Sequence, residues 1–469
     1  MTITGRIPRD VRTFGLALAV PAFAIPLLVD FGGLSEGGHR VMAIFLVAIV
    51  LWVTEAIPLY ATAALVILLE VTLVSDQALW ALPGAEAAPD YATYFQTLAH
   101  PVLMLFLGGF FLASGASKFR LDRNLARVLL RPFGTSPRAV MLGLMLVTAV
   151  FSMFMSNTAT TATMLAVVLP LMAALPPGDR LRAGLALSIP VAANIGGIAT
   201  PVGTPPNAIA VGSLADAGIT VGFGKWMLLA TPATIVLLGA SWLVLSKLFP
   251  SGSDTLEVSI GGRFDRSRGA VVFYMVFAVT VLLWLTESLH GIPSAVVGFA
   301  PVVVLLSTRV FDTEDLQRVP WHVLWLVGGG IALGIGVAET GLDAWLVEQV
   351  DWSALGSAAV LAVLALFALA MSTVVSNSAA ANLLIPIGLA LALSEAVDVE
   401  PVSAGFFIAV GASLAMALPI STPPNAIAYS TGVVATRDMV VVGALVGGMG
   451  IVLFLWVGPL LWNLMGVAP

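Results

Sequence analysis

Two polar tripeptides interrupt long apolar stretches of this chain: Ser156-Asn157-Thr158 inside the run 139–175, and Ser376-Asn377-Ser378, 220 residues later. Each is followed by a second break, Gly203-Thr204-Pro205-Pro206-Asn207 and then Ser421-Thr422-Pro423-Pro424-Asn425, 218 residues apart. Asn157, Asn207, Asn377 and Asn425 are four of only eight asparagines, so the amides concentrate at these paired positions. An amide in apolar surroundings must be hydrogen-bonded or coordinated. Its oxygen suits a hard cation such as sodium, and its NH2 suits an oxyanion. Serine hydroxyls have the same double use. Chain breaks also expose backbone groups, helix N-termini favouring anions and free carbonyls favouring cations. The four breaks are expected to meet in one site that holds a cation and an anion without a charged side chain. Ser152 and Ser372, one turn before the tripeptides and at the same offset, are candidate cation ligands. Each small polar residue alone also suits close helix packing; the matched pairing favours the site.

The elements that position these residues must lie in a membrane. The chain has 469 residues, 59% hydrophobic and 10% charged, with a mean hydropathy of +1.03. That leaves too little polar surface for a water-soluble globule of this size. Most runs approach the roughly 20 residues of a spanning helix and lack barrel alternation. The expected fold is an all-α polytopic membrane protein of about eleven transmembrane helices, two re-entrant hairpins and two broken helices in inverted repeats. The run 14–29 follows Arg6, Arg9 and Arg12 and is read as the first helix rather than a signal peptide, because no small-residue cleavage site follows. Without cysteine there is neither a disulfide framework nor a thiolate metal site.

Spans are expected near 13–30, 40–53, 56–74 and 99–117, with a tight turn at Thr54-Glu55-Ala56-Ile57-Pro58. The limbs 139–155 and 159–175 are short for a crossing, so 139–175 reads as a hairpin entering and leaving on one side. Segment 183–217 reads as a helix broken at 200–207, and a span at 225–248 follows. Residues 1–98 form the N-terminal, mainly scaffold helices, 99–249 the first repeat, and 250–268 a cytoplasmic linker. Residues 269–320 begin the second half with scaffold spans near 270–289 and 294–309. The second repeat, 321–469, has a span at 321–341, a hairpin at 358–396, a broken helix at 402–434 and a last span at 439–462.

The duplication extends beyond the tripeptides. Leu107-Gly108-Gly109 and Val327-Gly328-Gly329 are also 220 apart, and Leu121-Asp122 and Leu342-Asp343 are 221 apart. Doubling of this kind builds secondary transporters. After the first glycine pair come Lys118, Arg120, Arg123, Arg127, Arg131 and Arg138; after the second come Glu339, Asp343, Glu348 and Asp351, with no Lys or Arg. By the positive-inside rule the first stretch is cytoplasmic and the second external, so the repeats are inverted. A cytoplasmic N-terminus and an external C-terminus place 18 of the 20 basic residues inside, leaving Arg40 and Lys225.

Other chemistries fit poorly. Glu55, Glu70 and Glu287 fall near expected span ends, where a solvated or interfacial carboxylate is the simpler reading. His100, His290 and His322 have no metal-ligand spacing. Trp80, Trp321, Trp325 and Trp352 read as interfacial anchors. The glycine pairs lack a phosphate loop's Lys-Ser/Thr and suit close helix contacts. Nothing suggests nucleic-acid binding. A sodium/proton antiporter needs a titratable carboxylate in the motif segments, and an intramembrane hydrolase needs a base beside Ser156 or Ser376. Neither is present, and an enzyme is not expected.

Paired Ser-Asn-Thr hairpins, each followed by a Thr/Ser-Pro-Pro-Asn break, resemble the divalent anion:sodium symporters of dicarboxylates, citrate or sulfate. The resemblance covers about residues 13–462. It implies a homodimer in the inner (plasma) membrane, in which a transport domain moves as an elevator against a scaffold. It also implies one sodium site at Ser152, Ser156, Asn157 and Gly203, and a second at Ser372, Val375, Asn377 and Ser421. Substrate carboxylates would meet Ser156, Asn157, Thr158, Ser376, Asn377 and Ser378, with Thr204, Pro205, Thr422 and Pro423 lining the pocket. Ser378 departs from the family's Thr, which keeps the hydroxyl and bears on the choice of dianion. The expected activity is sodium-driven uptake of a C4-dicarboxylate such as succinate, malate or fumarate. A sodium-independent dicarboxylate exchanger and a sodium/sulfate symporter are the alternatives.

Overall fold

The computed structural model describes residues 9–82, 88–253, 255–256, 264–350, 352, 355–394 and 396–466. Arg6, Asp351 and most of the linker's centre, 254 and 257–263, lie outside the described residues. Among the described residues the fold is all helix. It divides into two compact units: Met1–Leu103, Ile209–Thr220 and Trp321–Ala412 in one, and Met104–Ala208, Val221–Pro320 and Ser413–Pro469 in the other. Each unit draws on both sequence repeats.

The first unit contains α1 (Arg9–Leu28), α2 (Glu36–Thr54), α3 (Leu59–Leu73) and the short α4 (Tyr91–Gln96), and the start of α5 (Pro101–Lys118). Its second-half members are α16 (Trp321–Glu339), α17 (Leu342–Glu348), α18 (Ser357–Val374), α19 (Asn377–Leu393) and most of α20 (Pro401–Ser413). Val41, Ala48, Trp52, Ala63, Val66, Leu333, Val337 and Leu383 form a buried seam between α2, α3, α16 and α19. A Cβ at Gly329 would strike the backbone of Ala63, so only glycine lets α16 approach α3 this closely. Arg40, left outside by the positive-inside threading, is buried and donates to the carbonyls of Leu73 (2.8 Å) and Trp80 (2.5 Å). It thereby satisfies a carbonyl at the end of α3 that the helix cannot.

The second unit contains most of α5, then α6 (Leu121–Leu130), α7 (Pro137–Ser152), α8 (Asn157–Ala174), α9 (Leu181–Ile198) and the start of α10 (Pro205–Asp216). It continues with α11 (Phe223–Leu248), α12 (Arg268–Leu285), α13 (Glu287–His290), α14 (Ser294–Ser307) and α15 (Thr313–Gln317). It closes with α21 (Pro423–Ser430), α22 (Thr436–Val452) and α23 (Gly458–Met465), the last two joined by a π-helical turn, Leu453–Val457. Helix α9 is the core, with every residue from Ala183 to Ile198 buried. Gly196 abuts the backbone of Ala149 on α7, and Gly108 on α5 abuts that of Gly298 on α14. Glu287 is not a solvated carboxylate: Oε2 accepts from the Phe223 amide (2.9 Å) and Oε1 from the Ser294 amide (3.2 Å). It caps the N-termini of α11 and α14, where helix dipoles favour an anion.

Each half also carries a short helix entered through a left-handed residue, Arg120 (φ 51°) before α6 and Gly341 (φ 71°) before α17. Ten helices among the described residues are long and apolar enough to cross a membrane. The set differs from the expected spans: α3 and α14 have 15 and 14 residues, whereas α8 and α18, one limb of each hairpin, have 18. At 1.5 Å per residue, the former reach only about 22 Å, short of a hydrocarbon core of about 30 Å.

Candidate functional site

The first tip forms because α7 stops at Ser152 and α8 starts at Asn157. Ser156 adopts extended backbone and its Oγ accepts from the Ala159 amide at 3.2 Å, capping α8. Ser156 and Asn157 are half-buried and Thr158 is exposed, while Ser152 is fully buried. The amide end of α8 therefore points its unpaired N–H groups toward an accessible tip, which favours an anion there.

Behind the tip lies a cluster of oxygens. Ser152 Oγ is 2.6 Å from Asn157 Oδ1. The same side of the Asn157 amide faces the carbonyls of Gly203 and Ala193, each at 3.2 Å from whichever amide atom is turned there. With Nδ2 inward, these carbonyls and Ser152 Oγ accept hydrogen bonds; with Oδ1 inward, four oxygens converge with one hydroxyl proton among them. The second arrangement is favourable only around a cation. A Cβ at Gly197 would run into the Asn157 amide, and one at Gly203 into the Gly197 backbone, so both glycines are required for this closeness.

The second tip repeats the design in the other unit. Helix α18 ends at Val374, α19 begins at Asn377, and Ser376 Oγ accepts from the Ala379 amide at 3.2 Å. Buried Ser372 Oγ lies 2.8 Å from Asn377 Oδ1 and 2.7 Å from the Ala412 carbonyl. One hydroxyl proton cannot serve both oxygens fully, which again suits a cation. Ala193 and Ala412 are 219 residues apart, so the copies use matching carbonyls as well as matching side chains. Buried Val375 joins the apolar seam of this unit, and Ser376, Asn377 and Ser378 are half-buried.

The two proline breaks are braced from within. Asn207 Nδ2 donates to the carbonyls of Gly197 (3.0 Å), Ile198 (3.1 Å) and Thr200 (2.8 Å). Asn425 Nδ2 donates to those of Met416 (2.7 Å) and Leu418 (3.0 Å). Trp226 Nε1 also donates to Ile198 (3.0 Å), and the Thr200 hydroxyl donates to the Met153 carbonyl, tying the break to the tip. Pro205 and Pro423 stand at the first positions of α10 and α21, where a missing N–H costs nothing. Thr422 Oγ1 caps α21 through the Asn425 amide (3.3 Å), and Ser421 Oγ accepts from the Leu418 amide (3.2 Å).

Within the second unit, three of the four breaks come together. Asn157 Nδ2 reaches Asn194 Oδ1, and Asn194 Nδ2 reaches Thr422 Oγ1, both at 3.4 Å. Thr204 and Thr422 are buried, Pro205 is half-buried and Pro423 exposed. Asn194 was missed in the sequence because it has no asparagine mate in the other repeat; a lone amide in an otherwise apolar run is the signal that marks it. Ser372, Val375, Ser376, Asn377 and Ser378 lie in the first unit, and Ser421 in the second. None of the ion pairs among the described residues involves these motifs.

Comparison with known proteins agrees with this architecture. A sodium-dependent dicarboxylate transporter SdcS from Staphylococcus saprophyticus is 32% identical over 482 aligned residues, covering 94% of this chain and 90% of the relative. The SdcS of Staphylococcus aureus strain USA300 is 30% identical, covering 92% and 88%. Among solved structures, the Alcanivorax borkumensis YdaH transporter matches with a TM-score of 0.57 at 13% identity, over 87% of this chain and 98% of that one. Neisseria gonorrhoeae MtrF matches with a TM-score of 0.52, also at 13%, over 97% and 95%; at such identities the likeness is one of fold. The model of the sodium:sulfate symporter transmembrane region matches residues 11–468, and the chain belongs to that family of membrane transporters.

Proposed function

We propose that this protein couples inward sodium movement to uptake of a small divalent anion, a C4-dicarboxylate such as succinate, malate or fumarate. The observation that carries the reading is the doubled oxygen cluster, Ser152 with Asn157 and the Ala193 carbonyl, and Ser372 with Asn377 and the Ala412 carbonyl. Relatives named as sodium-dependent dicarboxylate transporters supply the ion and the substrate class. Sodium ions held behind the tips provide the positive potential that no Lys or Arg provides there. The anion is then held at the tips by Ser156, Asn157, Thr158, Ser376, Asn377 and Ser378, with Thr204, Pro205, Thr422 and Pro423 as walls. Binding of sodium and of the dianion must raise each other's affinity by the same factor.

In this reading the hairpins re-enter from opposite sides of the inner (plasma) membrane. They and the broken helices form the moving part of an elevator, while residues 1–98 and 269–320 hold a homodimer. Proteoliposomes test the chemistry. Radiolabelled succinate should accumulate under an inward sodium gradient, and Asn157→Ala or Asn377→Ala should lower the rate at least about tenfold, on the order of 1.4 kcal/mol of lost binding or more. Equal uptake in potassium rejects sodium coupling, exchange only against internal dicarboxylate identifies an exchanger, and competition by sulfate but not succinate identifies a sulfate carrier.

A further inference from the structure

We infer that Glu70 is a proton-binding site, a neutral carboxylic acid seated between α3 and α16 and separate from the ion and substrate motifs. Its side chain lies near the end of α3 and is 0% exposed, and neither carboxyl oxygen has a hydrogen-bond partner among the described residues. The carboxyl group rests on Gly336 of α16, where any Cβ would overlap it. Beside it stands Tyr94 of α4, also 0% exposed, with a hydroxyl that lacks a partner among the described residues and is electrostatically coupled to Glu70. The surrounding walls are Ile67, Val71, Ala332 and Ile335.

Every helix packed on α3 was considered as a source of a counter-charge. From α2, Arg40 is committed to Glu36 and to the carbonyls of Leu73 and Trp80, and His39 bonds to the Ser35 carbonyl and the Phe31 amide. Helix α4 offers Tyr91 and Tyr94. Helix α16 offers an exposed Glu339 and, at its far end, His322, which touches Tyr60 of α3. None of these forms an ion pair with Glu70. An ionised carboxylate so enclosed would be uncompensated. A metal cation needs a shell of several oxygens, and here only one phenol oxygen accompanies the carboxyl group. A proton needs one oxygen. The neutral acid keeps the glycine seam of α3 and α16 closed, whereas a bare charge would have to draw in water or part the helices.

Infrared spectroscopy of the full chain in lipid nanodiscs tests the assignment at neutral pH. The wild-type spectrum should contain the carbonyl stretch of a protonated carboxylic acid, shifting on 13C-glutamate labelling and lost in Glu70→Gln, in sodium and in choline buffers alike. Should Glu70→Gln fail to fold, Glu70→Asp should move the band out of the 13C-glutamate signal instead. A band unchanged in these variants, or labelled glutamates giving ionised carboxylate bands alone, overturns the proposal. A band present in choline but lost in sodium also overturns it, since the occupant would then be the metal cation.

Discussion

Asn157 and Asn377 stand in the same sequence pattern as Asn207 and Asn425, yet the two pairs have different work. The first pair presents an amide oxygen to a serine hydroxyl one turn back; the second spends its NH2 on carbonyls that a broken helix leaves bare. Replacement should separate the roles. Asn207→Ala or Asn425→Ala strands buried acceptors and should lower stability by about 2 kcal/mol or more, read as a drop in thermal unfolding temperature in detergent. Asn157→Ala should leave that temperature nearly unchanged while removing uptake; a large loss of stability there would assign Asn157 to bracing instead. The residue types and their pairing were legible in the sequence, because an amide in an apolar run always needs a partner. The division of labour was not, because it depends on which way each amide faces. Glu70 and Glu287 were misread for the same reason: proximity to a span's end does not say whether a neighbouring helix covers the carboxylate.

Among the elements, α6 and α17 show how the repeat is written in backbone as well as in side chains. Both begin just after a left-handed residue, but one is Gly341 and the other Arg120, whose side chain is exposed. Left-handed geometry costs an ordinary residue about 1 kcal/mol, so Arg120→Gly should stabilise by up to about that amount and Gly341→Ala should destabilise by about the same. Opposite shifts in unfolding temperature are the expected result. Helix α6 also carries Asp122, whose carboxyl is held above the usual carboxylate range by burial, despite hydrogen bonds from the Arg123 amide and the Thr163 hydroxyl. The folded state then binds this proton more tightly than the unfolded chain does. Its contribution is therefore greatest below the ordinary carboxylate range and declines as pH climbs through the raised value. Asp122→Asn should match the wild type near about pH 4 and unfold at a higher temperature at neutral pH; a difference that does not change between these conditions would count against burial as the cause. Helix positions were legible to within a few residues, since apolar periodicity and proline mark them plainly. The shortness of α3 and α14 was not, because flanking apolar turns extend each run beyond the helix.

At the scale of the molecule, doubling is visible in tips, breaks, glycine seams and left-handed entries alike, although the two compact units each take segments from both copies. Offsets in the sequence reveal duplication but not which segments fold together. Orientation can be tested directly because the chain has no cysteine. In intact cells a membrane-impermeant maleimide should label Gln349→Cys and spare Arg123→Cys until the membrane is opened; labelling of both from outside would make the copies parallel. The asparagine braces have a consequence for how such a molecule can arise. None of their bonds to a break reaches more than ten residues along the chain. Each kinked segment thus carries its own stitching and asks nothing of distant partners, so a copied gene fragment could be inserted upside down with that segment already sound. Natural selection then needed to refine only the seam between the halves.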